Sequence, residues 1–188
     1  MFDANTGKPL NDGKPFQHRL EIAEIALDQT GLHNQRKLAF VDKNRDLFLT
    51  SINFNRATTK SIQQAPGKLG SMVLSLKWNT ESNMLAALQD SRLTIYLYPS
   101  VIFVDKSLLV RTMIERDASE FGKHPTLVGF VGNQLSIRRA DGSLVATAVS
   151  PYPAVVYNNA VSNRYNACLK CIEDKNSKLS SISQDFSM

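Results

Sequence analysis

The sequence predicts an all-β fold over its first 150 residues, built from a repeated unit of four short antiparallel strands. Strand-forming runs end repeatedly at Asp, Asn and Gly, which is the composition of tight hairpin turns. Three such turns are centred near residues 44, 91 and 133, so they lie 47 and 42 residues apart. Two further turn-forming stretches, around Gly7 and Gly142, lie 135 residues apart, or three units of 45. A four-stranded unit of about 40–45 residues is typical of a WD40-type β-propeller blade, so we predict a partial propeller of about three blades.

The first predicted blade has its strand a at residues 19–27. Strands b and c form a hairpin at residues 38–41 and 46–52, around the turn "DKNR". Strand d is expected around residues 60–64, and the following "PGKLGS" lacks the G-x-x-x-x-G-K-[ST] spacing of a phosphate loop. We therefore interpret "PGKLGS" as a turn between two blades.

The middle blade has the clearest pattern, with strand a at residues 72–79, b at 84–89, c at 93–98 and d near 101–110. Asp90 is expected to hold the b–c turn, because a carboxylate there accepts hydrogen bonds from backbone N–H groups. Tyr96 or Tyr98 occupies the end of strand c, where WD repeats carry Trp, and Trp78 is expected in the core. The Trp-Asp dipeptide and the Gly-His signature of WD repeats are absent from the sequence.

The last blade is predicted with strand b at residues 126–131, c at 134–139 and d at 143–149. Its strand a is expected within residues 111–120, where "ERDAS" weakens the pattern. Asp141–Gly142 is the composition of a two-residue type I′ turn, which needs positive φ at both central residues. Three blades and a part of a fourth cannot close a propeller, so we expect the chain to be a piece of a longer protein.

The pattern changes after the domain at residues 1–150. Apolar residues recur at spacings of three and four, which predicts a short α-helical segment at residues 151–175, beginning at the break between Pro151 and Pro153. The last stretch, residues 176–188, is rich in serine and is predicted to be disordered.

Composition argues against several classes of partner. Lys and Arg outnumber Asp and Glu by only 22 to 17, and the basic residues are scattered rather than clustered, so no nucleic-acid partner is expected. The longest apolar run has five residues, far below the roughly 20 that cross a bilayer, so no membrane insertion is expected. Two cysteines and no secretory signal indicate a reducing, intracellular compartment.

Candidate catalytic and metal-binding residues all have simpler structural interpretations. Cys168 and Cys171 form a C-x-x-C, which is either half a zinc site or a redox pair, or two cysteines on the inward stripe of a helix; we expect the last. The three histidines lie beside predicted strands or in turns, and no Ser or Cys nucleophile motif accompanies them. We therefore interpret them as surface or turn residues rather than catalytic bases; they are His18, His33 and His124. We predict no catalytic, cofactor-binding or metal-binding residues, no cofactor and no small-molecule substrate. The remaining acidic cluster is interpreted as a solvated loop, with protein docking as the alternative; its members are Glu115, Asp117 and Glu120.

Several stretches resemble one known family in order along the chain. The runs "EIALDQTGLHNQRKLAFVDKNRDLFLTSI", "LQDSRLTIYLYP" and "VGNQLSIRRADGSLV", followed by "SPYPA", are similar to the second propeller of the intraflagellar transport 80 family. The resemblance covers about residues 5–156. Members of that family are WD-repeat subunits of the B complex of ciliary transport trains. The resemblance implies a non-catalytic scaffold in anterograde ciliary transport and cilium assembly, located at the ciliary base and axoneme and in the cytoplasm, with other B-complex subunits as partners.

Two other functional classes remain as alternatives. A coat-like WD-repeat subunit of vesicle traffic shares the propeller architecture and would be distinguished by its partners. A propeller glycosidase would carry S-x-D-x-G-x-x-W turns and a pair of carboxylates. The turn at Asp141 has no Ser two residues before it and no Trp after Gly142, which disfavours the enzyme.

Overall fold

The computed structural model describes residues 6–8, 16–31, 35–55, 60–115 and 118–150, together with the single residues 156, 160 and 163. The strands in these ranges are Ile22–Leu27 (β1), Gln35–Asp42 (β2), Leu47–Asn55 (β3), Lys60–Gln63 (β4), Gly67–Gly70 (β5), Ser75–Trp78 (β6), Met84–Leu88 (β7), Arg92–Leu97 (β8), Val110–Glu115 (β9), Thr126–Val131 (β10), Gln134–Arg138 (β11) and Leu144–Ala148 (β12). One short helix, α1, spans Ala118–Phe121. The prediction of an all-β fold is confirmed.

The strands form three antiparallel sheets, each a meander along the chain. The first sheet has the order β1-β2-β3-β4, and β5 also pairs with β3. The second has the order β6-β7-β8-β9 and the third the order β10-β11-β12. All three predicted hairpins, at β2–β3, β7–β8 and β10–β11, are present. They form because each joins two apolar, strand-forming runs across a tight turn, a pattern that the sequence shows.

The outer strand of the first sheet is divided in two. β4 pairs with the C-terminal half of β3 and β5 with its N-terminal half. The predicted strand d is therefore confirmed, but "PGKLGS" is not a turn, because Gly67–Gly70 is itself a strand. A Cβ atom on Gly70 would lie 2.6 Å from the Tyr96 hydroxyl, so glycine allows the two sheets to approach there.

The second sheet departs from prediction at its outer strand. Strand d is β9, Val110–Glu115, and the predicted residues 101–110 instead contain two 3₁₀ turns at Pro99–Phe103 and Lys106–Leu108. Tyr98 adopts a left-handed conformation (φ 45°), and the following proline has no N–H to donate to a ladder. The apolar side chains of Ile102 and Phe103 pack against the core of the first sheet rather than extending the second.

Contacts between sheets change the strand assignment of the last blade. β1, β6 and β10 lie side by side, and we call them the inner strands. β10 is thus strand a, β11 strand b and β12 strand c, so the predicted b, c and d assignment is wrong. The predicted strand a within residues 111–120 is also wrong, because residues 111–115 belong to β9. The tight turn at residues 132–133 has the composition of a b–c turn. The contacts between sheets show that it joins strand a to strand b instead.

The structural repeat is longer than predicted. The inner strands start at Ile22, Ser75 and Thr126, which are 53 and 51 residues apart, not 45. The spacing of 42 residues between the turns near 91 and 133 compares a b–c turn with the a–b turn of the last blade.

The hairpin that joins β11 and β12 has a three-residue loop. The amide of Gly142 donates to the Arg139 carbonyl (3.0 Å), and the amide of Arg139 donates to the Ser143 carbonyl (2.9 Å). Gly142 has φ 85°, whereas Asp141 has no positive φ. The loop is therefore a type I turn followed by a left-handed glycine, and the predicted type I′ turn is wrong.

Two apolar clusters hold the sheets together. Trp78, Leu85 and Tyr96 of the second sheet pack against the first sheet, and Phe130 and Leu135 of the third sheet pack against the other face of the second. β7 is buried at all five positions because it is covered on both faces, so it is a continuous apolar run without alternation. The Trp78 prediction is confirmed.

Several predictions concern residues outside the described ranges. These are most of the Phe2–Leu10 turn, the helix at residues 151–175 apart from three residues, the tail at 176–188, and His33, Asp117, Cys168 and Cys171. Within the described part of the chain, no helix is long and apolar enough to cross a membrane.

Candidate functional site

One position recurs in all three blades, at the end of strand b. Asp42, Gln89 and Arg139 each close the b–c turn by donating their amide N–H to the carbonyl of the residue that begins or precedes strand c. Each of these three side chains also reaches the loop that precedes the inner strand of its own blade. The contacts are Asp42 with His18, Gln89 with the Ser71 carbonyl, and Arg139 with the Glu120 carbonyl. The b–c turns and the loops before the inner strands therefore form one connected surface, which we call the loop face.

The first blade uses a histidine and a carboxylate for this contact. His18 Nε2 lies 3.3 Å from Asp42 Oδ2, and its ring packs against Phe40 and Phe48. The Asp42 side chain is fully buried and also accepts hydrogen bonds from the backbone N–H groups of Asn44 (2.9 Å) and Asp46 (3.1 Å). The pair joins the loop before strand a to the b–c turn of the same blade. Sequence alone does not reveal it, because the two residues lie 24 positions apart in the chain.

The other two blades use different chemistry at the same position. The Gln89 Nε2 amide donates to the Ser71 carbonyl at 2.7 Å, and both Nε and Nη2 of Arg139 donate to the Glu120 carbonyl. Asp90, which was predicted to hold the b–c turn, accepts no hydrogen bond from any residue that the structure describes. That prediction is wrong, because the neighbouring Gln89 performs the role.

Polar contacts also join the three inner strands. Glu24 of β1 accepts hydrogen bonds from the Ser75 hydroxyl (3.0 Å) and the Leu76 amide (3.1 Å) of β6. The Ser75 hydroxyl in turn accepts one from the Leu127 amide of β10 (3.1 Å). The Glu24 carboxylate and the Ser75 hydroxyl thus fix the positions of the three inner strands relative to one another. The loops that precede these strands are therefore held in a fixed arrangement.

A groove opens on the loop face where the three blades meet. It consists of two adjoining cavities of about 400 and 520 Å³, which share Arg45, Leu74, His124 and Pro125. We call it the loop groove. Its further lining residues are Ala23, Glu24, Val41, Asp42, Lys43, Val73 and Thr126 in the first cavity and Asp90, Gly122 and Lys123 in the second.

Some charged side chains of the loop groove have a hydrogen-bond or ion-pair partner among the described residues, and others do not. Glu24 and Asp42 are occupied by the hydrogen bonds described above, and Lys43 forms an ion pair with Glu21. Arg45 and Lys123 are exposed, and neither side chain has a hydrogen bond or ion pair with another described residue.

Three non-glycine residues of the loop face have left-handed backbones. These are Arg45 (φ 60°), Met72 (φ 61°) and His124 (φ 46°). Such conformations cost roughly 1–2 kcal/mol each for ordinary L-residues, and they persist only where the surroundings fix them. The loop face is thus held in a specific shape rather than a relaxed one.

Buried and hydrogen-bonded groups have shifted pKa values near this surface. Hydrogen bonds from Lys68 and Ser71 hold the pKa of the Asp46 carboxyl below its usual value. Burial raises the pKa of the Tyr96 phenol, whose hydroxyl contacts the Leu69 carbonyl at 3.4 Å. Of the two candidate tyrosines at the end of strand c, Tyr96 is buried and Tyr98 is exposed. Within the described ranges, no three His, Cys, Asp or Glu residues lie together as a metal site would require.

Comparison with known proteins identifies the fold. A family model described as the IFT80 second beta-propeller matches residues 1–152. The chain belongs to this family. It is 49% identical over 170 residues to the intraflagellar transport protein 80 homolog of Mus musculus and 48% identical to that of Rattus norvegicus. Each alignment covers 90% of this chain and 21% of the relative, so the chain spans about a fifth of their length.

Membership of the IFT80 propeller family agrees with the three-blade architecture and with the family resemblance of the sequence. The structure brings together two of the histidines considered at first, His18 and His124, on the same loop face but in different roles. His18 contacts a buried aspartate, whereas His124 lines the loop groove. Arg45 and Lys123 were missed because nothing in the sequence links a turn in the first blade to a loop before the third.

Proposed function

We propose that this chain acts as a non-catalytic scaffold in the intraflagellar transport B complex, in anterograde ciliary transport and cilium assembly. Its membership of the IFT80 second propeller family supports the proposal, since the relatives are named as intraflagellar transport proteins. The observation that carries it is the row of inner strands joined by Glu24 and Ser75. Blades fixed to one another in this way present a broad rigid surface, which is how repeat proteins bind partners.

The non-catalytic part of the proposal is supported by how the titratable groups are used. Asp42 and Glu24, the two carboxylates nearest the first cavity, are both hydrogen-bonded to backbone amides of neighbouring segments. A general base must be free to accept a proton from substrate. Both groups therefore have a structural role, and the expected partners are other B-complex subunits rather than a small-molecule substrate.

Localisation in ciliated cells tests this proposal. The tagged product of the gene that encodes this chain is expected at the ciliary base and along the axoneme, in addition to the cytoplasm. Loss of the gene is expected to shorten or abolish cilia, and re-expression of the tagged product to restore them. A uniformly cytosolic or nuclear signal together with cilia of normal length after gene loss would contradict the proposal.

A further inference from the structure

The outer edge of the third sheet differs from the outer edges of the other two. In the first sheet β4 and β5 cover strand c, and in the second sheet β9 covers it. The third sheet has the order β10-β11-β12, so its strand c is β12, and no described strand pairs with the outer side of β12. Within the described part of the chain, one place in a repeated architecture is therefore uncovered.

The backbone of β12 directs hydrogen-bonding groups toward that uncovered side. The Val149 amide donates to the Asn133 carbonyl at 2.9 Å, which fixes the phase of the antiparallel ladder between β11 and β12. Every second residue of β12 therefore points its N–H and C=O groups away from β11, and each of these residues is exposed. They are Leu144, Ala146 and Ala148.

β12 also lacks the features that protect an uncovered edge. Proteins commonly place charged residues or proline on edge strands, because an unprotected edge pairs with other chains. The outer strand β9 carries Arg111 and Glu115, and β5 carries Lys68, which forms an ion pair with Asp46. The sequence of β12, "LVATA", has neither a charge nor a proline, and Leu144 is 67% exposed. This edge is therefore suited to pairing with a further strand.

The second sheet shows what kind of segment covers a strand c. β9 pairs antiparallel with β8 over six residue pairs, and its side chains alternate between half-buried and exposed. The half-buried Val110 and Ile114 pack against the apolar core. The same interface continued in the third sheet requires an extended segment with apolar or β-branched residues at alternate positions.

Two sources of such a segment fit less well than a partner protein. The first is the chain that follows β12, but Val156 and Ala160 are helical rather than extended. The second is another copy paired through its own β12, which would contribute five residues a side, whereas a stable interface between folded proteins takes about 20–30. A short extended segment needs only the edge itself, because main-chain hydrogen bonds supply its affinity.

We propose that β12 binds an extended segment of a partner protein, which joins the third sheet as a fourth, antiparallel strand. The outward backbone groups of Leu144, Ala146 and Ala148 pair with the backbone of the segment. Its alternate apolar side chains pack beside Val145 and Thr147. This inference rests on the proposed scaffold function in taking the occupant to be a protein, and it adds the conformation and chemistry of the bound segment.

Peptide binding to the full chain tests the inference directly. The probe is a fluorescein-labelled octapeptide of sequence KTVTVTVK, followed by fluorescence anisotropy. In the control peptide, proline replaces the two central residues, so two N–H donors are lost and the ladder cannot form. The first peptide is expected to bind, and the proline peptide to bind at least about tenfold more weakly.

Amide hydrogen exchange locates the bound peptide on the sheet. Exchange at Leu144, Ala146 and Ala148 is expected to slow when the peptide is bound, because their N–H groups then donate to it. The amides of Val145 and Thr147 face β11, so they are expected to be protected in the free chain as well. This alternation distinguishes strand addition from binding elsewhere on the blade.

Two substitutions are each compared with a matched control. Ala146→Pro removes an outward N–H, which an edge strand tolerates, and Ala146→Ser retains that N–H. Leu144→Lys places a charge on the edge, and Met113→Lys makes a similar change at a 52% exposed position of β9. Ala146→Pro and Leu144→Lys are each expected to bind the peptide about tenfold more weakly, and the two controls to bind it as the unsubstituted chain does. Urea unfolding verifies that each variant is folded.

Four results would overturn the inference. They are no binding at peptide concentrations on the order of 1 mM, equal binding of the proline peptide, unchanged exchange of the three outward amides, or an equal loss in the control variants. A dimer of the chain that excludes the peptide and is lost in Ala146→Pro would also overturn it, because the occupant would then be a second copy. Failure here would be distinct from failure of the scaffold proposal, because a tagged protein that reaches cilia and restores them shows the scaffold function whatever the peptide does.

Discussion

The indole Nε1 of Trp78 donates a hydrogen bond to the backbone carbonyl of Ala26 at 3.0 Å, and so joins the inner strands of the first two blades. The Trp78 side chain is almost fully buried between those sheets. One residue therefore provides both apolar packing and a polar link between blades.

Trp78→Phe should destabilise the protein by about 2 kcal/mol or more, because it leaves the Ala26 carbonyl unpaired and a cavity beside it. The free energy of unfolding from urea titration measures this. Tyr98→Phe, at an exposed aromatic, is the control and should change that free energy by less than about 0.5 kcal/mol. Equal effects of the two substitutions would show that Trp78 does not link the blades.

Gly142→Val should lower the free energy of unfolding by about 1 kcal/mol or more, because a β-branched residue is strained at φ 85°. Open space surrounds this position, since no atom would lie within 4 Å of an added Cβ, so the cost is conformational. Gly142→Asn, which tolerates the left-handed region, should cost clearly less. A valine variant as stable as the asparagine variant would contradict the three-residue loop.

Gly70→Ala should destabilise the protein by roughly 1–3 kcal/mol, because the new methyl group would lie 2.6 Å from the Tyr96 hydroxyl. Tyr96→Phe removes that hydroxyl and should recover part of the loss. A double-mutant cycle on the free energy of unfolding should give a coupling of about 0.5 kcal/mol or more. Strict additivity would mean that the two sheets do not meet at Gly70.

Stability should fall in acid partly through Asp46. Because its folded-state pKa lies below the ordinary value of 3.8, the carboxylate contributes stability that is present above pH 3.8 and is lost as pH falls through the lower, folded value. Asp46→Asn and Lys68→Met should each reduce the change in urea midpoint between about pH 4.5 and 2.5. An unchanged pH dependence in both variants would exclude the Lys68 hydrogen bond as the cause.

The sequence predicts local features of this fold better than distant ones. The b–c hairpins at β2–β3 and β7–β8 were predictable because the turn and the strand-forming runs on both sides of it lie within some 15 residues. The strand identity of β10 was not, because it depends on contacts with Ser75 and Thr80 of another blade. A tight turn has the same composition wherever it falls in a blade.

The loop face shows the same limit. The recurrent position at the end of strand b holds Asp42, Gln89 and Arg139, three residues with no chemical pattern in common. What they share is the geometry of the turn and a partner in the loop before the inner strand. Neither feature can be predicted from the sequence, because both depend on the folded chain. The loop groove is harder still to predict, because residues of three blades line it.

We propose that this IFT80-family propeller works within a transport complex. Affinity purification of the tagged gene product from ciliated cells, with identification of the proteins that copurify, tests this proposal. We predict that other intraflagellar transport B subunits are enriched over a purification of the tag alone. Recovery of vesicle-coat subunits instead, or no enrichment of any transport subunit, would contradict it.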